Sequence, residues 1–222
     1  MLKHLDQLIS KSVARKYSAG STIIYQGEVP RSACILVSGT ARVLSISTQG
    51  GEQTITYHVA GEFFPTSWIF GKATSALFFY DAVTDCEVAF VSRVELNEYM
   101  MATKERTEAL LDYFTTEHSA ALMRVNALEQ PKARDKLMYT FYFLCQRYAG
   151  ESSGQVVIPL MLTHQNIASL VGLTRETTAT EMNKLKKQGI LTYENQKYTV
   201  NIDKLVELIG EESFKSLKIG IK

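Results

Sequence analysis

The chain has 222 residues, 45% of them hydrophobic, which is enough for one large globular domain or two small ones. No apolar run reaches the roughly 18 residues of a membrane span, and the N-terminal MLKHLDQLISKSVARKY lacks a signal-peptide pattern. The three cysteines, Cys34, Cys86 and Cys145, have neither CxxC nor metal-site spacing. We therefore expect buried, reduced thiols, a cytoplasmic protein, no membrane contact, no metal and no cofactor.

The net charge of +1 conceals a difference between the two parts of the chain. Residues 1–131 carry 11 Lys and Arg against 14 Asp and Glu, whereas residues 132–222 carry 13 against 9. The C-terminal part is therefore basic, which favours contact with a polyanion such as nucleic acid.

The N-terminal part has the pattern of a β jelly roll, because short apolar runs alternate with glycine turns. In the run TITYH, alternation predicts that Ile55 and Tyr57 face one side and the threonines the other. The predicted strands are Ala14–Tyr17, Thr22–Tyr25, Cys34–Val37, Ala41–Ile46, Thr54–Val59, Leu77–Val83 and Val88–Val91.

The segment Gly61–Ala82 contains seven aromatic residues and only one cation, Lys72. Two interpretations remain open for it. The aromatic rings either line a pocket for an apolar, aromatic or peptide-like effector, or pack on one another and need no ligand. The candidate pocket residues are Tyr57, Phe64, Thr66, Trp68, Phe78 and Tyr80.

A long helix is predicted from Val94 to about Glu129, since this stretch has neither glycine nor proline and Pro131 follows it. Apolar residues recur in it at steps of three and four, which favours a homodimer through this helix over an ordinary core helix. The predicted interface residues are Leu110, Phe114, Ala121, Leu122, Val125 and Leu128.

A helix over Lys132–Tyr148 and a short strand precede a helix-turn-helix pattern. Thr163 and Thr174 are placed to cap two short helices, and Gly172 to turn the chain between them. The segments ILTYE and KYTVN flank Asn195-Gln196 and predict a hairpin, which makes this a winged helix. The predicted shared core consists of Ile167, Val171, Leu173, Met182 and Leu185.

The start of the second helix carries the chemistry for reading DNA. Arg175 can bind guanine O6 and N7, Glu176 can accept from cytosine N4, and Thr180 is too short for a bidentate base contact. Glu181 lies where an apolar residue is usual, so its carboxylate must extend to solvent, pair with a lysine, or lie near DNA at some electrostatic cost. The predicted DNA-binding residues are Thr163, His164, Gln165, Thr174, Arg175, Glu176, Thr180 and Lys184.

No nucleophile–base pair, metal cluster or phosphate-binding glycine loop indicates an enzyme. Two binding functions remain: a sequence-specific transcription regulator, or a ligand sensor that controls a protein partner through its winged helix without DNA.

Three segments, Gly20–Gly39, Cys86–Ser92 and Leu162–Thr177, resemble in sequence and order the cyclic-AMP-receptor/fumarate-nitrate-regulator (CRP/FNR) family of bacterial transcription regulators. The resemblance implies an α+β protein with a cyclic-nucleotide-binding-like sensor domain at 1–100, a dimerisation helix at 101–131 and a winged helix-turn-helix at 132–222. It also implies a homodimer that binds a palindromic operator on double-stranded DNA and contacts RNA polymerase.

The segment Gly61–Ala82 takes the place of the loop that binds the cyclic nucleotide in that family. The family's ribose-binding glutamate falls on Thr66, its phosphate-binding arginine on Ala76 and the next hydroxyl on Leu77. A buried phosphate without a cation is strongly disfavoured, so we expect no control by cyclic AMP.

Overall fold

The computed structural model describes residues 5–150, 153–210 and 219–220. The chain forms two compact units, Met1–Tyr113 and Phe114–Lys222. The boundary between them falls inside one long helix. The predicted division into a sensor domain, a dimerisation helix and a winged helix, at residues 100 and 131, therefore stays a prediction. None of the described helices is both long and apolar enough to cross a membrane.

The N-terminal unit is built on two four-stranded antiparallel sheets, with strand orders β1-β8-β3-β6 and β2-β7-β4-β5. Buried residues from both sheets pack into one core, as a jelly roll requires. The strands are β1 Val13–Tyr17, β2 Thr22–Ile24, β3 Ala33–Ser38, β4 Thr40–Ile46, β5 Glu52–Val59, β6 Phe63–Phe64, β7 Phe79–Ala82 and β8 Cys86–Val91. Two short helices belong to the same unit, α1 Asp6–Lys11 and α2 Thr66–Ile69.

The prediction that Ile55 and Tyr57 face one side of β5 and the threonines the other is wrong. Val43 pairs with Thr56 and Leu44 with Thr54, so Ile55 is an extra residue in a β-bulge. The bulge shifts the alternation by one: Thr54 and Tyr57 are buried, while Ile55 is exposed.

Gly39 makes the tight connection between β3 and β4. Its φ is +90°, and a Cβ at this position would lie 2.3 Å from the Asp85 carbonyl oxygen. Only glycine fits here, because any side chain would collide with backbone.

The predicted helix from Val94 to Glu129 is in fact two helices, α3 Arg93–Met101 and α4 Lys104–Glu129. Thr103 begins the second by capping it, since its hydroxyl accepts from Arg106 N at 3.3 Å. Leu110 is only 5% exposed, and its place in the dimer interface stays a prediction. Phe114 and Leu128 are partly buried, whereas Ala121, Leu122 and Val125 are exposed.

The C-terminal unit contains a second hydrophobic core around α5 Ala133–Leu144, whose residues from Leu137 onward are buried. A π-helical turn, Cys145–Ala149, continues α5, and its buried Arg147 forms an ion pair with Glu117 of α4. The remaining elements are β9 Gln155–Val157, α6 His164–Val171, α7 Arg175–Lys187, β10 Leu191–Glu194, β11 Lys197–Asn201 and α8 Ile202–Ile209. The three strands form an antiparallel sheet in the order β10-β11-β9.

The three cysteines are free and buried. Burial, together with the nearby Glu28 carboxylate, raises the pKa of the Cys34 thiol to about 12. This confirms the predicted role of Cys34 as a small core residue, because a protonated thiol is a poor nucleophile.

Candidate nucleic-acid interface

The two helices of the predicted motif begin at strong caps. The Thr163 hydroxyl accepts from Asn166 N at 3.2 Å, and the Asn166 side chain accepts from Thr163 N at 2.8 Å, which closes a capping box before α6. The Thr174 hydroxyl likewise accepts from Thr177 N at 3.2 Å before α7. Sequence reasoning identified both threonines and missed Asn166, because an Asn there replaces the usual Glu or Gln.

The turn between the helices is as short as a helix-turn-helix requires. Gly172 has a φ of 66° in the left-handed region, and Leu173 N donates to Ala168 O at 3.1 Å. Four of the five predicted core residues are buried, namely Ile167, Val171, Met182 and Leu185, while Leu173 is partly buried.

Thr178 completes the buried side of α7 with its methyl group, since it is 0% exposed. Its hydroxyl makes no hydrogen bond with the described residues. Burial of Thr178, Met182 and Leu185 fixes which side of α7 faces the core, and thereby which side is free.

The free side of α7 follows from the angle of 100° between successive helical residues. Glu176, Thr180, Asn183 and Lys187 lie within about 60° of one another, opposite the buried side, and all four are exposed. Asn183 and Lys187 were missed by sequence reasoning, although their spacing of three and seven from Thr180 is the signal that places them there. This face is one polar stripe that ends in a cation.

Arg175 and Glu176 lie at the N-terminal end of α7 and are exposed to solvent. Neither side chain forms an ion pair or hydrogen bond with the described part of the chain, so the donors of Arg175 and the acceptors of Glu176 are available to an external partner. The helix dipole adds partial positive charge at this end, which attracts phosphate. Helices of this kind insert the same end into the DNA major groove.

Glu181 has a lysine partner in the structure. Its Oε1 lies 2.6 Å from Lys184 Nζ, and the pair is on the flank of α7. The contact settles how Glu181 is accommodated beside the buried face. It also means that Lys184, one of the predicted DNA-binding residues, already has one carboxylate neighbour.

His164 packs against the wing. The strands β10 and β11 join at Asn195 and Gln196, both with positive φ, and bring two tyrosines next to the first helix. The His164 ring is 5.1 Å from the Tyr193 ring, which in turn is 4.5 Å from Tyr198. The structure therefore gives His164 a packing role between α6 and the wing, while Gln165 next to it is exposed.

The predicted effector residues lie in the N-terminal unit, and the structure does not bring all six together. Phe64 and Tyr80 stack with ring centroids 4.8 Å apart, and Phe78 packs against the same core. Tyr57 is buried but is not among the residues of that core, and Trp68 packs under Arg93 at 5.4 Å. Thr66, the expected polar contact, begins α2.

The interior beside Phe64 and Tyr80 is occupied by stacked rings and a buried carboxylate. His58 stacks on Phe64 at 5.2 Å and on Tyr80 at 6.0 Å, and its Nδ1 lies 3.2 Å from the buried Glu62 carboxylate. Burial raises the pKa of the Tyr80 hydroxyl. Ala76, where the sequence resemblance places the family's phosphate-binding arginine, is buried and apolar. A carboxylate and a methyl group give a phosphate no compensating charge.

Comparison with known families accounts for both units. Residues 14–103 match the cyclic nucleotide-binding domain family, and residues 136–208 match the Crp-like helix-turn-helix domain family. Between them these two matches include the jelly roll and the winged helix.

Individual proteins are similar over nearly the full chain. The transcriptional activator protein FnrL of Cereibacter sphaeroides is 27% identical over 213 residues, which cover 92% of this chain and 84% of FnrL. The cAMP-activated global transcriptional regulator Vfr of Pseudomonas aeruginosa is 27% identical over 193 residues, covering 86% of this chain and 90% of Vfr.

Among solved structures, FixK2 of Bradyrhizobium japonicum superimposes with a TM-score of 0.72 at 20% identity, over 89% of this chain and 96% of FixK2. That likeness concerns the fold, and it agrees with the two domain matches and the named relatives. Taken with the capped helix-turn-helix and its exposed polar stripe, they show that the chain belongs to the CRP/FNR family of DNA-binding transcription regulators and is not an enzyme.

Proposed function

We propose that this protein is a homodimeric regulator that reads a palindromic operator through α7 and is not controlled by cyclic AMP. The observation that carries the proposal is the N-terminal end of α7, where Arg175 and Glu176 are exposed and unpaired within the described chain. Every other residue assigned to DNA binding either supports that helix or lies beside it.

We assign the reading of DNA bases to Arg175 and Glu176. The residues around them position the protein on the DNA phosphate backbone. Gln165 is exposed one residue after His164, and Asn183 and Lys187 extend the stripe along α7. Thr163 and Thr174 have their hydroxyls committed to caps, so they contribute chiefly by fixing the helices. Thr180 lies between Glu176 and Asn183 on the exposed face of α7, and its short side chain contacts the DNA there.

Dimerisation is assigned to α4. Leu122 and Val125, three residues apart on one face of the C-terminal unit, are 56% and 54% exposed, and Leu111 in the N-terminal unit is 61% exposed. Apolar side chains of this size are seldom left in water at helical spacing without a partner. A 26-residue helix extends about 39 Å, long enough for a two-fold coiled contact.

The lack of control by cyclic AMP is supported by the aromatic packing of the jelly roll. His58, Phe64 and Tyr80 fill the interior with stacked rings, and Glu62 adds a negative charge rather than a cation. The same packing favours the interpretation in which these rings need no apolar effector. Contact with RNA polymerase is expected from the family, and the relevant surface is not assigned.

The test is binding-site selection on random DNA with the full-length protein, followed by Arg175→Ala. We expect a two-fold motif with half-sites one helical turn apart, and a cost of about 1–3 kcal/mol for Arg175→Ala on the selected site, with relaxed preference at one base pair. Lys204→Ala, a cation on α8, is the matched control and should leave the motif unchanged.

If the wild-type protein selected no motif and its affinity for DNA did not fall with salt, the winged helix would instead serve a protein partner. Calorimetry with cyclic AMP tests the second part of the proposal, because the relative Vfr is cAMP-activated. Binding in the low micromolar range would contradict it.

A further inference from the structure

An open groove of about 610 Å³ lies on the surface of the N-terminal unit, beside α2. It is separate from the stacked rings of the interior, although the same segment of sequence forms it. Two cationic side chains, two hydroxyls and two apolar side chains line it, and its lining contains no carboxylate. These are Lys72, Arg93, Thr74, Ser75, Trp68 and Leu77.

Arg93 is held in place at this groove before any ligand arrives. Its Nε donates to Ile69 O at 3.0 Å, and its guanidinium lies 5.4 Å from the centroid of the Trp68 ring. Gly71 allows the close approach, because a Cβ there would lie 2.9 Å from Arg93 Nη2. A guanidinium fixed on an aromatic face is suited to bidentate recognition of an oxyanion.

The terminal nitrogens of Arg93 have no acceptor within the described residues, and Arg93 has no acidic partner there. Lys72 is exposed and also makes no ion pair with the described residues. The hydroxyls of Thr74 and Ser75 likewise make no hydrogen bond within the described part of the chain. A partly buried guanidinium is usually paired with an acidic group. Because this groove offers cationic hydrogen-bond donors without such a partner, it is suited to bind an anion.

We propose that this groove binds a small organic oxyanion, a phosphate or a carboxylate, that carries an apolar body. The oxyanion is bound by Arg93 and Lys72, with hydrogen bonds from the two hydroxyls. The apolar body lies on Leu77, which is 48% exposed. This site is on the outer side of the loop whose inner side lacks a phosphate-binding arginine, and it does not depend on how the protein reads DNA.

The experiment is calorimetric titration of the full-length protein at low ionic strength with phenyl phosphate, benzoate and phenol. We expect at least one of the two anions to bind about tenfold more tightly than phenol, and the tighter anion to identify the class. Arg93→Gln should weaken that binding about tenfold, and Lys72→Gln about threefold, since each loses one charge-assisted contact.

Lys72→Gln keeps the test valid if Arg93→Gln disturbs the loop, because Lys72 is exposed and its side chain makes no hydrogen bond or ion pair in the described chain. The matched control is Lys104→Gln, another exposed lysine, on α4. The proposal is overturned if neither anion binds more tightly than phenol, or if the Lys104 and Lys72 variants lose the same affinity.

Discussion

In the jelly roll, His58, Phe64 and Tyr80 satisfy one another by stacking, and the buried Glu62 bonds to His58. In the winged helix, by contrast, Arg175 and Glu176 extend into solvent at a capped helix end. Both regions, the jelly-roll interior and the start of α7, have aromatic, polar or charged side chains at a position where the family has a binding site. They differ in whether those side chains already have partners. The type of a residue suggests where a site could be. Donors, acceptors or charges that have no partner within the described chain then support a binding function there.

The largest expected effect comes from creating a cavity in the core of the jelly roll. Phe64→Ala should lower the free energy of unfolding by about 3–5 kcal/mol, because it removes a fully buried ring from a stack. The apolar cavity left behind should bind benzene, which would recover part of the loss. Denaturant unfolding with and without benzene measures both effects.

Tyr25→Ala is the control for this variant, since Tyr25 is an exposed aromatic residue of the same unit. It should cost less than about 1 kcal/mol. A loss of less than about 1 kcal/mol for Phe64→Ala itself would mean that the interior is loosely packed and able to admit a ligand.

The second prediction concerns the exposed apolar face of α4 that contains Leu122. Leu122→Glu should convert dimers to monomers in light scattering, because it brings two like charges to the two-fold contact. DNA affinity should fall about a hundredfold or more, since one half-site alone must then hold the protein.

Leu208→Glu is the matched control, an exposed leucine on α8. It should leave both mass and affinity as they are. A Leu122→Glu protein that remained dimeric would move the interface away from this face of α4.

The smallest expected effect sharpens the account of α7. Glu181→Gln should raise affinity for all DNA sequences about two- to fivefold and steepen the salt dependence by about one, because it frees Lys184 for phosphate. Binding measured over a salt series decides this, with Glu207→Gln on α8 as control. If Glu181→Gln weakened binding, the Glu181–Lys184 pair would act by positioning Lys184.

The parts of the fold that follow from neighbouring residues were readable in the sequence. Thr163, Gly172 and Thr174 fix the helix-turn-helix by local hydrogen bonds and a left-handed φ, and each prediction is confirmed. The turn at Asn195-Gln196 is of the same kind.

Features decided by distant residues were not readable. The break at Ala102 and Thr103 was missed for a different, local reason: no glycine or proline marks it, and the cap formed by Thr103 was not recognised. Trp68 was placed with the interior rings because its type fits them, whereas its ring packs against the guanidinium of Arg93, 25 residues later. The burial of Leu110 also depends on packing that spacing alone does not specify.

The β-bulge at Ile55 has a consequence for how the protein behaves in concentrated solution. β5 is the last strand of its sheet in the described residues, with eight residues and an open row of backbone donors and acceptors along one side. A flat edge of that length pairs readily with another molecule, and a bulge twists it out of register. Deletion of Ile55 should therefore straighten the edge, and the harm would be aggregation through strand addition, even if the fold were kept.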